Sequence, residues 1–215
     1  MTTIKEHCCG ADVFFDEKTA EKQYSQYLKK GPGRVTARMI DQLSTIQVHN
    51  RSLLDIGGGI GALQWWFLRE GGKETKAVDA SSDYLNKAKA HASKNGWADR
   101  TSFIFGDFAE IYMELEQSDI VTLDKVVCCY PDYQQILNAV CHQSMELISI
   151  SYPMDGILSR IVASVGVISA RWKTKSFRPY IHPVNKMREV FEEKGFSRVA
   201  HSLTFPWHVE TYRRK

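Results

Sequence analysis

An acid and three glycines in one short stretch are the residues most able to do chemistry in this sequence. Asp55 lies in the apolar run Leu53–Ile56, and Gly57, Gly58 and Gly59 follow it directly. A strand that turns into a helix through glycines lets the backbone approach a ligand closely, and the helix offers it unpaired N–H groups. An ionised carboxylate inside an apolar strand needs a partner. The stretch therefore predicts a ligand site at the end of the first strand.

Two cofactors compete for this turn. Gly57, Gly59 and Ala62 satisfy the dinucleotide pattern G-x-G-x-x-G/A, and Asp79 follows at the distance expected for a ribose-binding acid. The pyrophosphate of a dinucleotide is anionic, so the charge of Asp55 opposes it. A sulfonium with an α-ammonium group is cationic, so the same acid attracts it. The acid favours S-adenosylmethionine (SAM) over a nicotinamide dinucleotide.

The pattern Asp55-x-Gly57-x-Gly59, with Asp79 closing the second strand, resembles the class I SAM-dependent methyltransferases. The resemblance implies a SAM site lined by the glycine turn, Asp79 and Ala80. The carboxylate of Asp79 has two oxygens that can accept both ribose hydroxyls. The alternative for Asp79 is a helix cap, because a serine-started helix follows it.

Two further acids fall at the ends of later strands. Asp107 resembles the acid of this family that accepts the adenine amino hydrogens, with Phe108 adding its N–H or an apolar wall; a helix cap is the alternative. The fourth strand is predicted over about 120–127. Asp124 lies in this strand and its exit loop, and we assign it to the cofactor site. That loop is similar to the corresponding region of magnesium-protoporphyrin O-methyltransferases, except that Cys129 stands where those enzymes have a histidine before Tyr130.

The candidate catalytic groups are Tyr130, Tyr27 and Tyr24, followed by Asp132, His182 and His208. A tyrosine is a poor base because its ordinary pKa is near 10, but it can orient a nucleophile. Holding a nucleophile in line with a methyl group contributes roughly 7–11 kcal/mol. A general base adds roughly 10²–10⁴-fold. We therefore expect positioning to dominate, and a packed ring remains the alternative for each tyrosine.

The five cysteines do not form a disulfide framework, because four of them are adjacent pairs, Cys8–Cys9 and Cys128–Cys129. This favours a reducing cytoplasm. The second pair is expected on a strand, where only one thiol can face the pocket. Three roles remain possible for Cys128 and Cys129: small buried side chains, a catalytic thiolate, or ligands of a soft ion. No metal site is predicted, since His7, Cys8 and Cys9 lack partners at ligand spacing.

From Ser52 onward, apolar strands alternate with amphipathic helices, which predicts a parallel, doubly wound sheet. Two closing strands, about 197–203 and 208–213, are close enough in sequence to be antiparallel. The predicted fold class is therefore α/β: a Rossmann-like, seven-stranded, mostly parallel sheet with a C-terminal antiparallel hairpin, helices on both faces and an N-terminal helical lid. The hairpin is also what the resemblance implies.

The predicted domains are an N-terminal helical lid over residues 1–50 and a SAM-binding core over residues 51–215. The lid has helices at about 16–30 and 35–48. Residues 1–13 are polar and are expected to be loose at the very end of the chain. The core carries a helical cap insertion at about 155–180. Its apolar stripe over 157–172 fits a cap, a core helix or a peripheral membrane contact.

The composition limits the classes of molecule that this protein is expected to bind. The net charge of +3 is small and no basic stripe is present, so no nucleic-acid partner is expected. No apolar run is long enough to span a bilayer. The sequence predicts SAM-dependent methyl transfer to a small-molecule acceptor, partly hydrophobic or aromatic. A nicotinamide-dependent oxidoreductase and a non-catalytic SAM-binding or partner-binding module are the alternatives.

Overall fold

A computed structural model of the chain describes residues 4–156 and 178–215. The elements in chain order are α1 (Ile4–Phe14), α2 (Glu17–Lys30), α3 (Arg34–Leu43), β1 (Ser52–Ile56), α4 (Ala62–Arg69), β2 (Glu74–Asp79), α5 (Ser82–Lys94), β3 (Thr101–Phe105), α6 (Phe108–Ile111), β4 (Ser118–Asp124), α7 (Tyr133–Gln143), β5 (Ser144–Pro153), α8 (Val184–Glu193), β6 (Phe196–Thr204) and β7 (Trp207–Arg214). Within these residues, no helix combines the length and apolar character needed to cross a membrane.

The strands form one seven-stranded sheet in the order β3-β2-β1-β4-β5-β7-β6. The first five strands are parallel, and β7 is antiparallel to both of its neighbours. The predicted fold class is confirmed, including the C-terminal hairpin. The chain leaves β1 towards β2 on one side and later returns to β4 on the other. The carboxyl ends of β1 and β4 therefore flank a switch point, where open α/β sheets bind ligands.

Strand register brings the predicted acids to one edge of the sheet. Asp79 ends β2 opposite Phe105, and Asp124 ends β4 opposite Ser151. The glycine turn leaves β1 at the same edge. Three separate parts of the sequence thus converge because their strands are parallel.

Both faces of the sheet are covered by helices. The larger apolar cluster packs α7 and α8 against β4 and β5. On the other face, Met39 and Leu43 of α3 are buried with residues of α4 and the sheet. Gln42 of α3 also donates to the carbonyl of Val209 at 3.1 Å and accepts from the Thr211 hydroxyl at 2.8 Å. These bonds fix α3 to the hairpin.

The structure differs from two sequence predictions. Residues 4–14 form α1, a helix that the sequence analysis does not predict, and Asp12 near its end accepts the backbone N–H of Ser82 at 2.9 Å. The fourth strand ends at Asp124 and not at Val127, because Lys125 turns the backbone into the left-handed region with φ 63°. The predicted helical cap falls largely on residues 157–177, outside the described residues.

Candidate functional site

A cavity of about 810 Å³ opens at the carboxyl edge of the sheet. One wall consists of the glycine turn, Asp79–Ala80, Gly106, Phe108 and the segment from Asp124 to Val126. The facing wall comes from α1, α2 and the turn between α2 and α3. This volume is in the range of sites that enclose a cofactor or a small ligand.

Asp55 lies behind the glycine turn rather than in the cavity wall. It is fully buried, and its carboxylate accepts from the Gln64 amide at 2.9 Å and from the Thr122 hydroxyl at 2.7 Å. A Cβ on Gly58 would stand 2.0 Å from Asp55 Oδ2, so the turn rests directly on this carboxylate. Burial raises the pKa of Asp55 to about 7. Asp55 therefore does not line the cavity itself, and its attraction of a cationic ligand stays a prediction.

This raised pKa predicts a pH-dependent stability. The folded state holds the Asp55 proton more tightly than the unfolded chain, so the contribution of Asp55 is most favourable below about pH 4 and falls as pH rises to about 7. We expect the wild-type protein to lose roughly 2 kcal/mol of unfolding free energy relative to Asp55→Asn between pH 5 and pH 8. Denaturant unfolding of both proteins at the two pH values measures this difference. A difference that is constant, or that grows in favour of wild type, contradicts it.

The rest of the turn is shaped by close contacts. Gly57 has φ 59°, and a Cβ there would stand 2.6 Å from a methyl group of Val126. The N–H of Gly59 donates to Asp79 Oδ2 at 3.0 Å, while the N–H of Ser81 donates to Asp79 Oδ1 at 2.8 Å. Each oxygen of Asp79 keeps a further lone pair for a hydroxyl donor in the cavity. Burial raises the pKa of Asp79 to about 6.

Asp107 acts as a helix cap. Its Oδ1 accepts the backbone N–H of Ala109 at 3.0 Å and the hydroxyl of Tyr130 at 2.8 Å. Its buried Oδ2 has no hydrogen-bond partner among the described residues. Gly106 and Phe108 line the cavity on either side of it. The cap alternative is realised, and the adenine-binding role stays a prediction.

Asp124 ties three elements together on the cavity wall. Its Oδ2 accepts the Thr36 hydroxyl at 2.5 Å and lies 3.3 Å from Lys125 Nζ, and its Oδ1 accepts the Ser151 hydroxyl at 2.7 Å. The backbone N–H of Lys125 also donates to Ser151 at 2.8 Å. Thr36 belongs to α3, so this carboxylate joins α3 to β4 and β5.

The predicted catalytic tyrosines separate in space. Tyr27 lines the cavity, with its ring 4.8 Å from the ring of Trp65. Tyr24 is not part of the cavity wall, and its hydroxyl lies 3.2 Å from Nδ1 of His91. Tyr130 lines the cavity but is bonded to Asp107, and burial raises its pKa well above the ordinary value. These positions favour Tyr27 as the tyrosine that meets an acceptor.

The cysteine pair at 128 and 129 lies on a single helical turn, Val127–Cys129, and not on a strand. Both thiols face the carbonyl of Lys125, at 3.3 Å from Cys128 and 3.6 Å from Cys129. The expectation that they point to opposite faces of a strand was wrong. Cys129 lines the cavity together with Cys8 of α1. Burial raises the pKa of the Cys8 thiol, and the contact with the Cys128 thiol, together with burial, raises that of Cys129.

Several supporting residues escaped the sequence analysis. Gln64 and Thr122 hold Asp55, and Thr36 holds Asp124. Thr122 is the register partner of Asp55 in the neighbouring strand. Knowing that β1 and β4 are neighbours would have identified it. His182 is buried behind the exit turn, with Nε2 2.9 Å from the carbonyl of Tyr130, and does not line the cavity.

Among the described residues, one cluster has metal-ligand geometry: His201, His208 and Glu210 on the hairpin. The two imidazoles face each other, with 3.0 Å between Nε2 and Nδ1. Glu210 already accepts from Arg188 at 2.6 Å, from Arg198 at 2.7 Å and from two tyrosine hydroxyls. Two guanidinium groups beside the carboxylate oppose a cation, so these contacts are structural. They also place His208 outside the cavity wall.

Comparisons with known proteins agree with this architecture. Residues 53–143 match a family model described as a methyltransferase domain. Magnesium protoporphyrin IX methyltransferase from Synechocystis PCC 6803, solved with SAH bound, superposes with a TM-score of 0.74 at 14% identity, covering 95% of this chain and 98% of that one. The chain therefore has the class I methyltransferase fold, and residues 53–143 are similar to a methyltransferase domain. The predicted superfamily is confirmed, and SAM is the methyl donor of this class.

Other relatives differ in what they act on. An O-methyltransferase family protein from Burkholderia thailandensis has a TM-score of 0.70 at 14% identity, covering 94% of this chain and 61% of that one. A putative sarcosine dimethylglycine methyltransferase from Galdieria sulphuraria has a TM-score of 0.66 at 16% identity, covering 85% and 86%. A ribosomal protein arginine N-methyltransferase of Schizosaccharomyces pombe is 35% identical over 71 residues, which span 33% of this chain and 13% of that protein.

Proposed function

We propose that this methyltransferase domain transfers the methyl group of SAM to a small-molecule acceptor bound in the described cavity. The observation that carries the proposal is the placement of Asp79 beside the glycine turn. Its carboxylate is held by two backbone N–H groups at the switch point of the sheet and still has lone pairs for ribose hydroxyls. SAM supplies an electrophilic methyl group on a sulfonium, so the protein needs chiefly to orient the acceptor.

Different residues of the chain would bind different parts of SAM. Gly57 and Gly58 leave no room for side chains and let the backbone meet the amino-acid end of the donor. Asp55, behind the turn, would supply negative charge near the ammonium and sulfonium groups. Asp124 would form part of the cavity wall beside the donor. Ala80 and Phe108 flank the adenosyl group. We place the lid at α1 and α2, because α3 is hydrogen-bonded to the hairpin.

The helices that contribute to the cavity wall favour a small acceptor over a protein. Residues of α1, α2 and the α2–α3 turn stand across the cavity from the glycine turn. An arginine side chain of a protein would have to enter between these helices and the sheet. The arginine methyltransferase match covers too little of either chain to outweigh this geometry.

The tyrosine roles can be separated by two matched variants. We expect Tyr27→Phe to lower kcat roughly 10-fold or more, because it removes a hydroxyl from the cavity wall that can orient the acceptor. Tyr24→Phe is expected to leave kcat unchanged and to cost about 1 kcal/mol of unfolding free energy through the lost His91 contact. Turnover and denaturant unfolding of both variants test this. Equal losses of kcat would remove the distinction.

The proposed function is tested by incubating the protein with isotope-labelled SAM and a metabolite extract, followed by mass spectrometry. We expect labelled methyl in a small-molecule product, none with an Asp55→Ala/Asp79→Ala double variant, and none in protein or RNA. Thermal shifts with SAM, SAH and NAD(P) separately identify the cofactor, since only a ligand of the folded state raises the midpoint. Label in protein arginine, or stabilisation by NAD(P) alone, contradicts the proposal.

A further inference from the structure

Two cationic side chains stand at the α2–α3 end of the cavity without an acidic partner. Lys30 is the last residue of α2 and Arg34 the first of α3, and both line the cavity and are exposed to solvent. Within residues 4–156 and 178–215, neither forms an ion pair. Lys125, which lines the cavity as well, differs because it lies 3.3 Å from the carboxylate of Asp124. This end of the cavity therefore has unneutralised positive charge.

The backbone adds to this charge. The cap residue of α3, Gly33, has no side-chain hydrogen bond to offer, and the first helical bond runs from Ala37 N–H to the Gly33 carbonyl at 2.8 Å. The N–H groups of the first helical turn thus have no helical acceptor. Gly33, Arg34 and Thr36 of this turn all line the cavity. A helix N-terminus open to a cavity favours a negative group, and it reinforces the two side chains.

The donor alone does not balance these charges. SAM carries a single carboxylate, whereas Lys30, Arg34 and the α3 N-terminus offer two full charges and a partial one. The acids of the cavity wall do not neutralise Lys30 and Arg34. Asp79 is held by backbone N–H groups, and Asp124 is paired with Lys125. We propose that the acceptor bears an acidic group, a carboxylate or a phosphate, that binds Lys30 and Arg34. This inference rests on the proposed function and names the acceptor class.

The probes are benzoate and phenyl phosphate, with benzamide as the neutral match, titrated by calorimetry into protein saturated with SAH. We expect one of the two anions to bind about 10-fold or more tightly than benzamide. The stronger of the two distinguishes a carboxylate from a phosphate. The double variant Lys30→Gln/Arg34→Gln is expected to weaken that anion about 10-fold, as for charge-assisted hydrogen bonds.

The chain offers a close control, because Lys29 and Arg38 lie on the same helices outside the cavity wall. Lys29→Gln/Arg38→Gln should leave the affinity of the anion within about 2-fold of wild type. Anion affinity that is unchanged in Lys30→Gln/Arg34→Gln, or that is no better than that of benzamide, overturns the inference. If Lys30→Gln/Arg34→Gln binds the anion as wild type does but binds SAH more weakly, the two cations belong to the donor site instead. Its binding of 5′-methylthioadenosine, which lacks the carboxylate, would then be unchanged.

Failure of the proposed function has a different signature. A wild-type protein that does not bind SAH contradicts the methyltransferase proposal itself. The titrations are therefore repeated without SAH, where preference for an anion over benzamide and its loss in Lys30→Gln/Arg34→Gln still support the anion site. If SAH-free wild-type protein binds neither anion better than benzamide, the anion site is contradicted.

Discussion

Replacing Asp79 by alanine is expected to weaken the binding of SAH and SAM about 100-fold or more. The variant removes the proposed acceptor of two ribose hydroxyls. It also leaves the N–H of Gly59 without its partner at 3.0 Å, which holds the glycine turn in place. Hydrogen bonds to a charged group contribute about 1.5–3 kcal/mol each, and two of them account for this loss. Calorimetric titration of the purified variant with SAH measures it.

Asp83→Ala is the matched control, since Asp83 lies in the first turn of α5 beside this site but does not line the cavity. It should bind SAH as wild type does. Thermal unfolding without ligand shows whether Asp79→Ala is folded. A folded Asp79→Ala protein with wild-type affinity would remove Asp79 from the ribose site.

Gly58→Ala is expected to cost roughly 1–3 kcal/mol of unfolding free energy and to abolish detectable SAH binding. The added methyl group would meet Asp55 Oδ2 at 2.0 Å and the Gln64 amide at 2.9 Å, and both groups are buried and hydrogen-bonded to each other. Overpacking of this kind forces the backbone to move. The turn would then be displaced from the position in which it meets the donor.

The control for this substitution is Gly156→Ala, where a Cβ would meet no atom of residues 4–156 or 178–215 within 4 Å. Denaturant unfolding and SAH titration of both variants separate a steric effect from a general intolerance of alanine. Gly58→Ala with wild-type stability and affinity would mean that the turn does not rest on Asp55 as described.

The sequence predicted the parts of the site that depend on neighbouring residues. The glycine turn, Asp79 and the alternation of strands and helices are local patterns, and a parallel sheet brings strand ends together wherever they occur. The sequence also placed Asp55 before the glycines. It could not show that Thr122, 67 residues later, would face Asp55 from the adjacent strand.

The errors have the same physical origin. Residues 4–14 have no strong helical signal of their own, and α1 is fixed by bonds to α5 such as that from Ser82 to Asp12. The fourth strand was extended past Asp124 because Val126 and Val127 are apolar and β-branched. Tertiary contacts override that preference: the N–H of Lys125 is taken by Ser151, and the backbone turns away from the sheet.

The sequence alone could not predict which of the N-terminal helices lie over the cavity. Amphipathic helices before the first strand predicted a lid over residues 1–50, and helical periodicity does not distinguish a helix on the sheet from one over the cavity. In α3, both ends of the Gln42 amide are bonded to the hairpin residues Val209 and Thr211, so α3 is held against the sheet. This bonding is the reason that the proposed lid is limited to α1 and α2.

The central claim is that the cavity at the ends of β1, β2 and β4 binds the donor through Asp79 and the glycine turn. A crystal structure of the wild-type protein grown with SAH tests it most directly. We expect the ribose hydroxyls within hydrogen-bond distance of Asp79 and the amino-acid end beside Gly57 and Gly58. A cavity that stays empty at saturating SAH, or SAH bound elsewhere on the protein, would contradict the claim.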